Sequence, residues 1–92
     1  MRFEWDEAKN IANHEKHGIS FEEAKAVYES DVLELASEHS YYEKRFAVIG
    51  PIARGVVTVV HTYRAEDVIR LISARPATKA EKRMYRSYLQ GK

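Results

Sequence analysis

The sequence predicts an α+β fold, and three observations carry that prediction. Apolar residues recur with helical spacing over the first thirty or so positions, β-rich runs follow from about residue 32 to 75, and helical spacing returns after Pro76. A length of 92 residues suits one domain that closes a single core, and no repeat, low-complexity tract or Pro/Gly-rich linker divides it. One domain over residues 1–92 is expected.

The elements follow in order. Residues 2–5 read as a short first strand. Asp6 is placed to cap a helix running to His17, with Gly18 as the left-handed residue that ends it. Ser20 with Glu23 forms a capping box for a second helix to about Ser30, whose apolar face is Phe21, Ala24, Val27 and Tyr28. Strands are expected at Val32–Ser37, Lys44–Gly50, Val56–Tyr63 and Val68–Arg75, an antiparallel four-stranded meander. Val56 to Val60 is apolar on both parities, as in a central strand covered on both sides. Pro76 breaks the chain, and Thr78 with Glu81 caps a last helix with an apolar stripe of Ala80, Met84, Tyr85, Tyr88 and Leu89.

Composition narrows the chemistry. Cysteine is absent, which excludes disulfides and thiolate metal sites and fits the cytoplasm. No apolar segment is long enough for a bilayer, so no membrane partner is expected. The net charge of +1 hides segregation: residues 1–43 hold four Lys/Arg against eleven Asp/Glu, a net of −7, and residues 44–92 hold eleven against three, a net of +8. Such a split offers a seat for a polyanion such as RNA, unless the two halves neutralise each other across the fold.

The richest cluster of chemistry lies between Arg45 and Arg86. Arg64, Arg75, Lys79, His61 and Tyr85 are candidate catalytic residues, and Arg45, Lys82, Arg83 and Arg86 candidate RNA-binding residues. Cleavage of RNA without a metal needs a base for the ribose 2′-hydroxyl, an acid for the leaving oxygen and fixed positive charge for the phosphorane. These residue types supply all three. Each also has a plainer role: Arg75 in an ion pair, Arg64 paired with Glu66 or Asp67, His61 as a half-buried sheet residue, Tyr85 in the core, and the helix cations as a solvated face. His14 and His17 lack further ligands at a recognisable spacing, so no metal is expected, and Glu22 and Glu23 read as first-turn acids. No Walker loop, nucleotide-binding glycine pattern or nucleophile elbow occurs, and no cofactor is expected.

Over nearly its whole length the chain resembles the BrnT toxins, relatives of the RelE/ParE superfamily. The resemblance is carried by Phe3-Glu4-Trp5-Asp6 with Lys9 and Asn13, by Lys16-His17-Gly18-Ile19-Ser20-Phe21-Glu22-Glu23-Ala24, by Arg45 with Gly50, and by Ile72-Ser73-Ala74-Arg75-Pro76-Ala77-Thr78-Lys79-Ala80-Glu81. Pro76 departs from the pattern, standing where the family often has Lys. The resemblance implies a RelE-like fold and an endoribonuclease that halts translation and growth. It also implies neutralisation by a BrnA-like antitoxin with a ribbon-helix-helix DNA-binding part, so that operator DNA is met only through that partner. It maps Arg64, Arg75 and Lys79 onto the basic cluster, with His17, Arg45, His61 and Tyr85 as further participants. Whether RNA is cut on or off the ribosome stays open. A non-catalytic module that inhibits by occlusion, or binds nucleic acid within a repressor complex, is the alternative, and direct DNA binding by the last helix a weaker one.

Overall fold

The computed structural model describes residues 1–35, 38–39 and 43–92, with residues 38 and 39 as backbone alone. In chain order the elements are β1 (Arg2–Glu4), α1 (Glu7–His17), α2 (Phe21–Ala24) running into a 3-10 turn (Lys25–Glu29), β2 (Leu33–Glu34), β3 (Glu38–His39), β4 (Lys44–Ile52), β5 (Gly55–Ala65), β6 (Val68–Pro76) and α3 (Lys79–Gln90). The sheet order is β1-β6-β5-β4-β2, and β3 also pairs with β4. The meander β4-β5-β6 is antiparallel as expected, while β1 adds to the edge of β6 in parallel.

The caps act where the sequence puts them. The Asp6 carboxylate accepts from the Ala8 and Lys9 amides, and Gly18 ends α1 at φ 75°, a conformation that costs glycine no steric strain. Thr78 and Glu81 complete a reciprocal capping box. At Ser20 the box is half made: the hydroxyl accepts from the Glu23 amide, but the Glu23 carboxylate is held by Arg54 at 2.7 Å.

Three expectations need correction. The second helix is only four residues before it tightens into the 3-10 turn, which lays Val27 against β4 beside Gly50. The strand expected at Val32–Ser37 is the short β2, with residues 36 and 37 outside the described set. An unexpected short strand, β3, pairs with β4 opposite Arg45 and Lys44, whereas β6 ends at Pro76 as expected, opposite Val57.

The sheet has two unlike faces. On one, Val48, Val57, Val59, Ile69, Leu71 and Ala74 pack beneath Ile19, Phe21, Ala24 and Val27 in the main core. A bulge places Val60 opposite Ser73 and His61 opposite Leu71, leaving Ile72 as the extra residue. That extra residue switches the parity of β6, so that Leu71 and Ala74 share the core face although three apart. On the other face α3 docks Tyr85 against Ile49, with Val56 and Tyr88 beside them. The helix covers one end of this face only. Met84 and Leu89 of its expected apolar stripe remain exposed.

Candidate nucleic-acid interface

Beside α3 the uncovered part of the sheet forms a groove of about 310 Å³, lined by Leu35, Arg45, Phe46, Ala47, Thr58, Val60, Arg75 and Glu81. Register builds its floor: Ile49, Thr58 and Arg75 lie in one row across β4, β5 and β6, and Ala47, Val60 and Ser73 in the next. Small and β-branched side chains keep the floor flat, and the arginines stand out from it.

Arg75 and Glu81 form a fork-to-fork pair at the mouth of α3. Arg75 Nη1 donates to Glu81 Oε1 at 2.7 Å, and Nη2 to Oε2 at 2.9 Å. Oε1 also accepts from the Thr58 hydroxyl at 2.9 Å and from the Thr78 amide at 2.9 Å. The Arg75 hydrogen bonds, aided by those of Thr78 and Thr58, hold the Glu81 carboxyl at about 2, and the same pair raises the Arg75 guanidinium above its usual range. Across the groove, Arg45 Nε reaches Glu43 at 3.2 Å.

The α3 cations form a patch of their own. Lys79, Lys82, Arg83 and Arg86 line a shallow depression of about 280 Å³, all are exposed, and none has an ion-pair partner among the described residues. Neutralisation across the fold therefore accounts for some cations and not others. Glu23 pairs with Arg54, Glu4 with Arg70 and Arg64, and Asp31 with Lys92, each joining the acidic half of the chain to the basic half.

Four sequence candidates lie away from this groove. His61 is 2 % exposed on the opposite face of the sheet, beneath the N-terminal helices. There its Nδ1 is 2.6 Å from the Tyr28 hydroxyl and its ring stacks on Phe46, while burial lowers its pKa. Tyr85 is a core residue whose hydroxyl donates to the Asp31 carbonyl at 2.6 Å, with burial raising its pKa. Arg64 sits six residues along β5 from Thr58, about 20 Å at the rise of an extended strand, and faces Glu4 at 3.7 Å. Arg64 and Arg75 do not converge on one phosphate. His17 lines a separate cavity of about 210 Å³ with Gly18, Ile52, Arg54 and Lys82. Thr58 and Glu81 are groove residues that the sequence left unassigned. The capping box already explained Glu81, and only strand register shows its second duty to Arg75.

Among the described residues no three His, Cys, Asp or Glu groups gather as metal ligands, and no helix is long and apolar enough to cross a membrane. Residues 5–81 match the model of the family described as the ribonuclease toxin BrnT of type II toxin-antitoxin systems. The chain belongs to the BrnT family. It is similar in structure to the Brucella abortus ribonuclease toxin BrnT, with a TM-score of 0.64 and 23 % identity over 86 % of this chain and 99 % of that one. At that identity the likeness speaks for the mixed α+β fold alone. No curated protein matches the sequence. As a BrnT family member the chain is a ribonuclease toxin, and the matched span takes in Arg45, Arg75, Lys79 and Glu81 while leaving Arg83 and Arg86 beyond its end.

Proposed function

We propose that this BrnT family toxin is a metal-independent endoribonuclease of RelE-like architecture that cuts RNA in the groove of the open sheet face. The carrying observation is that Arg75 and Arg45 line the groove, while α3, which supplies Glu81 to it, bears a separate cluster of exposed cations without an ion-pair partner among the described residues. The 2′-hydroxyl oxygen attacks the adjacent phosphorus, the bond to the 5′-oxygen breaks, and a cyclic phosphate and a 5′-hydroxyl end result, the proton passing from one oxygen to the other through solvent or a base. Arg75 and Arg45 hold the phosphate, Lys79 adds charge as the phosphorane forms, and Lys82, Arg83 and Arg86 lead the strand to the groove. His61 and Tyr85 take no part in proton transfer, being buried elsewhere.

The biological reading follows from the family's type II setting. Cleavage of messenger RNA, on or off the ribosome, stops translation and growth in the cytoplasm. A BrnA-like ribbon-helix-helix antitoxin covers the groove and carries the pair to operator DNA. The test is expression of the toxin with and without its antitoxin, following growth and RNA integrity, with cleavage by the purified protein measured in chelator. Arg75→Ala is expected to abolish RNA cleavage and arrest while leaving the circular dichroism spectrum unchanged, with a lower Tm because the Glu81 carboxylate loses its partner. Cleavage by the folded variant at the wild-type rate would refute the groove, and arrest with intact RNA would favour inhibition by occlusion.

A further inference from the structure

A guanidinium has five N–H bonds, and the structure accounts for three of those on Arg75. One Nη1–H and one Nη2–H go to the Glu81 carboxylate, and Nη1 also reaches the Pro76 carbonyl at 3.3 Å. The remaining two, Nε–H and the second Nη2–H, point in parallel from one edge of the plane, in the fork geometry that meets two oxygens of a phosphate. Among the described residues that edge has no partner. The Glu81 side chain is 14 % exposed and that of Arg75 40 %, so the carboxylate lies behind the guanidinium.

We infer that Glu81 is a positioning residue for RNA cleavage: by clamping the far end of Arg75 it presents the Nε/Nη2 edge to the scissile phosphate as a preset fork. This rests on the groove being the cleavage site. Glu81 is suited to the task because it is itself anchored twice, to the central strand through Thr58 and to the first turn of α3 through the Thr78 amide. The phosphate gains charge on its oxygens as the phosphorane forms, so a fork fixed in advance acts more strongly on the transition state than on the bound substrate.

Glu81 is also a helix cap, and the experiment separates the two roles. Glu81→Gln keeps one carbonyl oxygen for the cap but loses the second acceptor and turns an N–H₂ toward Arg75. Thr78→Ala weakens the cap and leaves the Arg75 clamp in place. Single-turnover cleavage of a short RNA should show Glu81→Gln slowed about 100-fold with KM changed less than about three-fold, the cost of a misplaced group. Thr78→Ala should stay within about two-fold of wild type even at an equal loss of Tm. Thr58→Val, which removes one anchor and keeps the carboxylate, should fall between them and serves if Glu81→Gln does not fold. As a second readout, the Arg75 Nε–H resonance should shift on titration with inorganic phosphate in wild type and Thr78→Ala and stay still in Glu81→Gln. Equal rates in Glu81→Gln and Thr78→Ala, or an Nε–H signal in wild type indifferent to phosphate, would overturn the positioning role while an inactive Arg75→Ala left the groove standing. A fully active Arg75→Ala would remove both.

Discussion

His61 shows how one residue is fixed by its surroundings. Burial lowers its pKa, and the titratable groups facing it are the phenols of Tyr28 and Tyr63, neither of which offers a carboxylate to an imidazolium. Nδ1 shares its hydrogen bond with the Tyr28 hydroxyl, and Nε2 is buried without a partner among the described residues. Because the folded pKa lies below the unfolded value, the unfolded chain takes the proton first. Stability is then full above about pH 6.5 and declines as pH falls from there toward the folded value. Thermal melts between pH 7.5 and about pH 5 should show Tm falling with acid in wild type and a shallower fall in His61→Gln, whatever its absolute Tm. A parallel pair of curves would assign the acid sensitivity elsewhere. The sequence offered both the catalytic and the sheet reading of this residue. It could not choose, because the face occupied by His61 depends on strand pairing with Phe46 and Leu71, a non-local fact.

At the scale of elements, α1 is held by amides rather than by an apolar stripe. Asn13 Nδ2 donates to the Ile19 and Ala74 carbonyls, and its Oδ1 accepts from the Ala74 amide, so one buried side chain joins α1, the following turn and β6. Asn10 likewise accepts from the Phe21 amide that starts α2. Asn13→Ala strands three buried backbone groups, and loss of about 3 kcal/mol is expected, read as a lower midpoint in urea with little change in slope. A cost under about 0.5 kcal/mol would show that water or a backbone shift replaces these bonds. The ends of α1 were legible because Asp6 and Gly18 act locally, and α3 for the same reason. Its face was less so, since hydrophobic periodicity is blind to an asparagine used as a clamp. The second helix was overextended because Phe21, Ala24, Val27 and Tyr28 keep their apolar spacing through the 3-10 turn. Val27 must sit close to Gly50 there, where an added Cβ would come within 2.9 Å of the Val27 Cβ.

For the whole molecule, the segregation of charge along the chain becomes a segregation on the surface. Acidic residues of the N-terminal half neutralise Arg54, Arg70, Arg64, Arg45 and Lys92 around the domain. The cations of α3 have no such partner among the described residues, and the one acid of their own helix, Glu81, is held by Arg75. The sequence displayed the imbalance, but which half of it survives folding depends on contacts between distant positions. RNA docked along α3 would release counterions from each phosphate that Lys79, Lys82, Arg83 and Arg86 meet, which for a single strand contributes about −0.7 per contact to the slope of log K against log salt. Replacing Lys82, Arg83 and Arg86 together by Gln should therefore flatten that slope by about 2 units, weaken binding of unrelated RNA sequences alike, and leave the bond that is cut unchanged. Arg64→Gln, altering a cation already paired with Glu4 at the far end of β5, should leave the slope where it is. A triple variant with the wild-type slope would mean that RNA approaches the groove from the side of β4, past Arg45 and Lys44, rather than along α3.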